Sequence, residues 1–173
     1  MLVGMMGAGK TAIGRSLALM LDVPFRDSDA EIEAAAMMSI AEIFDRDGED
    51  FFRDRETQII DRLLDDTPAI LSAGGGAFLH QRNRDLIAAK GVAVWLRADL
   101  DLLWNRVKHK DTRPLLRTAD PYSTLAALYE ARLPYYEKAD LVVQAQAAYS
   151  IETMAAKVRD ALSTRADVME RVT

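Results

Sequence analysis

Cysteine is absent from this chain of 173 residues, which excludes structural disulfides and thiolate metal sites and favours the cytosol. Histidine is nearly absent too: His80 and His109 stand far apart without metal-ligand spacing and are read as incidental. No apolar run approaches the ~20 residues that a membrane span requires, and no secretory-type apolar segment opens the chain. Proline-rich linkers, internal repeats and low-complexity tracts are lacking, so 1–173 is expected to form one domain, long enough to bury a sizeable core. A broad basic excess is also missing: the formal net charge is −5, which argues against general nucleic-acid binding. No guanine-reading NKxD element occurs, which sets aside a switch GTPase.

Against these absences, glycine, lysine and threonine crowd into GMMGAGKTAIGRSLA at 4–18. Gly4, Gly9, Lys10 and Thr11 fit GxxxxGK[ST], with apolar Leu2 and Val3 before the motif and apolar residues at helical spacing after it. Strand, loop and helix in this order make a P-loop, in which glycines let successive amides point inward and a helix N-terminus adds partial positive charge. A polyphosphate fits there, with Lys10 reaching its outer phosphates and the Thr11 hydroxyl available to magnesium. The alternative is a glycine-rich turn that merely caps a helix. Met5 and Met6, inside the loop, are expected to pack outward or on the core. The first strand starts at Met1 and is short for its kind, so further residues are expected upstream.

Continuous apolar runs at MLV, AILSA (69–73), GVAVWLRA (91–98) and ADLVVQA (139–145), with a shorter one near VPFRDSD (23–29), alternate with segments of helical period. Such runs predict a parallel sheet covered on both faces, whose ligands collect beyond the carboxyl ends of the strands. Helices are expected over 28–65 with a break near Gly48 and a capping box at Ser39 and Glu42, from Asp120 and Pro121 onward, and over 149–168. Residues 107–120 lack periodicity and are expected to form a mobile loop. From 106 to 117, Arg106, Lys108, Lys110, Arg113 and Arg117 stand against the one acid Asp111: either a site for a small anion or a solvated loop.

FRDSDAEIE places Asp27 and Asp29 after the second strand. One carboxylate can serve a metal and the other an acceptor hydroxyl; alternatively, Ser28 and Glu31 form a capping box and the acids only stabilise a helix start. ILSAGGGAF ends a strand in Gly74, Gly75 and Gly76. Each glycine costs roughly 0.5–1 kcal/mol against alanine in regular structure, so either a closely approaching ligand or a tight turn must demand them. EDFFRDRE offers Arg53 and Arg55, and YEARLPYYEKAD offers Arg132 ahead of Pro134, which is expected to kink or interrupt its helix. These arginines are solvated surface or, where two of them meet, a bidentate clamp for a carboxylate.

The ordered set GMMGAGKT, DSD, FR followed by RE, GGGA, RPLL and RLPYYEKAD resembles the shikimate kinase family along nearly the whole chain. The resemblance implies an α/β, three-layer P-loop kinase fold with a five-stranded parallel sheet, a helical substrate-binding insertion (28–65) and a mobile lid (107–120). It implies transfer of the γ-phosphate of ATP to the 3-hydroxyl of shikimate with magnesium (Mg2+), by a cytoplasmic monomer that engages small molecules and neither nucleic acid nor membrane. By position, Asp29 matches the acid that holds the shikimate hydroxyls and is the proposed base, Arg53 and Arg132 the pair that grips the carboxylate, and Gly75 the glycine whose amide meets a hydroxyl. Gly7, Ala8, Gly9, Lys10, Thr11 and Ala12 match the nucleotide loop, Arg113 the lid arginine over the phosphates, and Arg106 the arginine stacked on adenine. Lys10 and Arg113 join Asp29 as catalytic residues, and Thr11 and Asp27 match the magnesium side, with Ser72 in a water-mediated contact. A gluconate kinase would share loop and fold, and a catalytically silent nucleotide-binding module would be expected to have lost Lys10, Asp27 or Asp29, all present here.

Overall fold

The structure is a computed structural model that describes residues 1–109 and 114–170. Its strands are β1 (Leu2–Val3), β2 (Phe25–Asp27), β3 (Ile70–Ser72), β4 (Val94–Arg97) and β5 (Leu141–Gln144). They form one sheet in the order β2-β3-β1-β4-β5, parallel at every pairing. The helices among the described residues are α1 (Lys10–Leu21), α2 (Ser28–Ala36), α3 (Ile40–Asp65), α4 (Gln81–Lys90), α5 (Leu100–Val107), α6 (Pro121–Tyr136), α7 (Ile151–Leu162) and the single turn α8 (Ala166–Met169). Each expected strand is present, trimmed at its ends. The central strands are buried along almost their whole length, as their unbroken apolar runs require once helices cover both faces.

The main core gathers Leu17 of α1, Val94 to Leu96 of β4, Leu103 of α5, Leu125 of α6 and Met154 and Val158 of α7. Met5 and Met6 belong to it, the second of the two expected placements. A separate cluster of Ile32, Ile43, Phe52, Ile59 and Leu63 closes on Leu71 of β3. The α2–α3 segment therefore has apolar support of its own, while Ile60 of α3 joins the main core.

Local chemistry sets the helix ends. Gly9, in the left-handed region at φ 90 and ψ 19, turns the chain into α1. Ser39 and Glu42 form the expected capping box, and Asp120 caps α6 with Pro121 in the first turn. The Ser28–Glu31 box does not form: Asp27 is the cap, accepting from the amides of Asp29 and Ala30 through Oδ1 at 3.0 and 3.2 Å. Ser28 instead turns inward, where its hydroxyl accepts from the Gly74 amide at 3.3 Å.

Two further expectations are corrected. α6 is not interrupted at Pro134 but continues to Tyr136: the proline forgoes only its own amide bond to the turn before it, and beyond it the Glu137 amide still donates to the Leu133 carbonyl at 3.0 Å. The expected helix over 149–168 divides into α7 and α8; the Ser163 and Thr164 hydroxyls bond back to the carbonyls of Asp160 and Ala161, an alternative to helical pairing that short polar side chains favour. Of the expected lid, residues 110–113, Arg113 among them, lie outside the described residues, while Leu116 is buried in the main core.

The expected break near Gly48 is present: α3 departs from helical geometry there, with φ 84 and ψ 173, a backbone region open in practice only to glycine. A Cβ at 48 would meet nothing within 4 Å, so any penalty of a side chain is conformational. Gly48→Ala is expected to destabilise the fold by ~1–3 kcal/mol, seen as a lower urea midpoint at unchanged slope. An unmoved midpoint would mean that α3 straightens through position 48 at no cost.

Candidate active site

The loop from Gly4 to Gly9 leaves β1 and closes on itself through the Ala8 amide, which donates to the Met5 carbonyl at 3.1 Å. α1 opens with no side-chain cap, so its first amides are left for an anion, as expected of a phosphate cradle. The Lys10 ammonium folds over the loop and donates to the carbonyls of Gly4 at 2.7 Å and Met5 at 3.0 Å. From α5, Arg106 donates to the Gly7 carbonyl at 3.1 Å and reaches that of Ala8 at 3.5 Å, and burial lowers the pKa of its guanidinium. Ala8 is fully buried, whereas Thr11 and Ala12 lie exposed on the first turn.

Parallel register places Asp27 at the end of β2 opposite Ser72 at the end of β3, and Ser72 opposite Leu2 of β1. The Thr11 hydroxyl stands 3.4 Å from Asp27 Oδ2. These hard oxygens beside the phosphate loop suit magnesium, which takes few protein ligands and completes its shell with phosphate and water. Among the described residues no cluster of three or more His, Cys, Asp or Glu offers an all-protein cage.

Behind this pair, three elements converge on Gly74, Gly75 and Gly76. The α-carbon of Gly74 faces the Asp29 carboxylate from α2, that of Gly75 the Arg132 guanidinium from α6, and that of Gly76 the Arg53 guanidinium from α3. Burial, reinforced by the neighbouring Asp27 charge, holds the Asp29 carboxyl above its ordinary pKa; Lys10 and Arg53 pull the other way. Asp29 thus feels both the phosphate side and the arginine side of the cleft.

Arg53 and Arg132 stand out in the sequence, but the groups that hold them do not. Arg53 is gripped by Glu56, at 3.0 Å and only 1% exposed, and contacts Glu49 at 3.4 Å. Glu56 stands three residues after Arg53 in RDRE, one helical turn on, and that spacing was the available signal. Arg132 neighbours the hydroxyl of buried Tyr136, which donates to the Gly75 carbonyl at 2.8 Å; this residue stands four positions on, in RLPYY. Arg55 takes no part: it lies over the Phe51 ring and bonds Gln58 on the outer face of α3. A cavity of about 220 Å³ with a mixed lining, Met1, Ile70 and Val92 together with Lys90, Arg165 and Asp167, lies beneath the opposite, amino-terminal ends of the strands, remote from all of these groups.

Comparison with known proteins gives a consistent result. The family model described as shikimate kinase matches residues 6–163. The chain is 66% identical over 169 residues to shikimate kinase of Ruegeria pomeroyi, covering 98% of this chain and 87% of that protein. It is 60% identical over 169 residues to the enzyme of Cereibacter sphaeroides, covering 98% and 84%. A solved structure of shikimate kinase from Acinetobacter baumannii in complex with shikimate superposes with a TM-score of 0.87 at 35% identity, covering 95% of this chain and 93% of that one.

The Arg53–Glu56 pair yields a stability prediction. Burial raises the Glu56 pKa, and the Arg53 charge and hydrogen bond oppose that rise. In Arg53→Ala the folded-state pKa climbs further, so the native form binds protons more tightly than the unfolded chain. Its stability deficit should be small below the ordinary carboxylate range and grow as pH rises through the elevated pKa, reaching ~3–5 kcal/mol near neutrality. Urea unfolding of Arg53→Ala and the parent chain across pH 4–8 measures this; a pH-independent deficit would count against it.

Proposed function

The chain belongs to the shikimate kinase family, whose reaction is the ATP-dependent phosphorylation of the 3-hydroxyl of shikimate on the way to chorismate and the aromatic amino acids, and on that premise we propose how its own residues carry out the transfer. One observation carries the assignment: an acid and two arginines from three different helices meet at the glycine triplet, beside a P-loop whose lysine charge reaches that same acid.

Arg53 and Arg132 hold the shikimate carboxylate, Arg53 being braced by Glu56. The Gly75 amide meets a ring hydroxyl while its carbonyl is pinned by Tyr136. Asp29 orients the 3-hydroxyl and accepts its proton late in the transfer. Gly7, Ala8, Gly9, Thr11 and Ala12 cradle the phosphates of ATP through the loop and the first turn of α1, and the planar face of Arg106 supports adenine. Lys10 exchanges its loop carbonyls for the outer phosphates, where Arg113 joins it to offset charge on the transferring group. Thr11 and Asp27 would hold magnesium, with Ser72 nearby, and the ion would screen charge on the phosphates.

Little covalent help is required of the protein, since positioning and charge neutralisation supply most of the acceleration in phosphoryl transfer. Closure of the lid over 107–120 excludes water, which otherwise competes as acceptor. The remaining features of the proposal are a single domain with the 28–65 insertion, a monomeric state and a cytosolic location.

A coupled ADP-release assay with ATP and magnesium, comparing shikimate with gluconate, quinate and no acceptor, tests the assignment; stimulation by shikimate alone is expected, and stimulation by gluconate would overturn the acceptor. Asp29→Asn is expected to lower kcat by several orders of magnitude with ATP binding retained, and near-normal turnover would remove its role. Arg132→Ala should weaken acceptor binding by ~1.5–3 kcal/mol, the worth of a charge-assisted contact, and an unchanged shikimate KM would count against the clamp.

A further inference from the structure

The ordinary reason for glycine does not apply to the triplet. Positive φ sets Gly4, Gly7, Gly9 and Gly48 apart from all three, and Gly76 lies at φ −93 and ψ −12, a conformation open to any residue. No positive φ demands glycine at 74, 75 or 76, and what stands against alanine there is the space a Cβ would take. At 74 an ideal Cβ falls 2.5 Å from Asp29 Oδ1 and 3.0 Å from Oδ2. At 75 it falls 3.0 Å from Arg132 Nη1, and at 76 it falls 2.8 and 2.9 Å from Nη2 and Nη1 of Arg53. Gly91, by contrast, would bring its Cβ no nearer than 3.3 Å to Leu64 and 3.7 Å to the Ile87 carbonyl.

We propose that Gly74, Gly75 and Gly76 are three separate positioning residues, each lacking a side chain so that one group of the acceptor site can occupy its working place: Asp29, Arg132 and Arg53 respectively. The proposal rests on the roles given to those three residues above. It makes a motif that looks like one flexible turn into a template with a different kinetic duty at each position.

The neighbours differ in how far they can yield. Asp29 is short, and its amide is tied to Asp27 Oδ1 at 3.0 Å, so a Cβ at 74 forces its carboxylate to rotate away from the acceptor hydroxyl. Arg53 has a longer side chain, but Glu56 at 3.0 Å and Glu49 at 3.4 Å tether its guanidinium, so a Cβ at 76 must break or bend that brace. At 75 a shift of a few tenths of an ångström by Arg132 relieves the contact, while the Tyr136 bond to the Gly75 carbonyl at 2.8 Å keeps the loop from stepping back. The ranking is position 74 through turnover, position 76 through acceptor affinity, and position 75 least.

The test is steady-state kinetics of Gly74→Ala and Gly76→Ala with shikimate varied at saturating ATP and magnesium, alongside thermal melts and Gly91→Ala as a control away from the site. Gly74→Ala is expected to lose kcat by about 100-fold, the scale of a displaced catalytic group, with a much smaller change in shikimate KM. Gly76→Ala is expected to raise shikimate KM by roughly 10-fold or more, the scale of a weakened charge-assisted contact, with a much smaller loss of kcat. In an Arg53→Ala background the Gly76→Ala change should add nothing further to KM, because the atom it collides with is gone. Parallel losses of kcat and KM at both positions, or additivity in the Arg53 cycle, overturn the proposal in favour of a shared backbone role. If Gly74→Ala does not fold, the Arg53 cycle at position 76 decides alone. Failure of the underlying roles is separately visible, since near-normal turnover of Asp29→Asn removes the acid whatever the glycines do.

Discussion

Parallel strand pairing is the constraint from which the site follows. A ladder in which all five strands run the same way puts their carboxyl ends on one edge, and the phosphate loop, both aspartates and the glycines leave the sheet along it. The phosphate loop follows β1, Asp27 closes β2, Ser72 and the glycines follow β3, and α5, entered just after β4, returns Arg106 to the loop. Register matters as much as direction: with Asp27 level with Ser72, the Thr11 hydroxyl and the Asp27 carboxylate face one another across a short gap. A slip of one residue in β2 would turn Asp27 to the opposite face of the sheet and undo both the cap of α2 and that pairing.

The charges of the cleft are arranged in two ways. Arg53 is braced by a carboxylate that is itself buried, a costly arrangement that fixes the cation in place against the glycine loop. Lys10 and Arg106 donate to backbone carbonyls of the phosphate loop, which hold cations less strongly than phosphate does. The first arrangement suits a rigid carboxylate clamp and the second a loop whose cations exchange partners when nucleotide arrives. Asp29 lies where the two meet, buried enough to resist ionisation and near enough to Lys10 and Arg53 to be drawn back toward it.

Spacing along the chain determined the parts that depend on neighbours in sequence. GxxxxGK[ST] between an apolar strand and a helix, the alternation of apolar runs with helical segments, the Ser39–Glu42 box and the break at Gly48 are all local, because a few adjacent φ/ψ values and short-range hydrogen bonds decide them. Local ambiguity had local limits: Asp27 rather than Ser28 caps α2 because Ser28 is drawn away to the Gly74 amide, a partner 46 residues distant. Only tertiary structure brought α2, α3 and α6 together on Gly74 to Gly76 and buried Glu56 beside Arg53. The glycines needed explaining from the sequence alone, yet the Cβ clashes that explain them come from atoms up to 57 residues away, since Arg132 faces Gly75. Backbone conformation is fixed by adjacent residues and could be read from them; which side chains compete for the same few cubic ångströms is decided by packing alone.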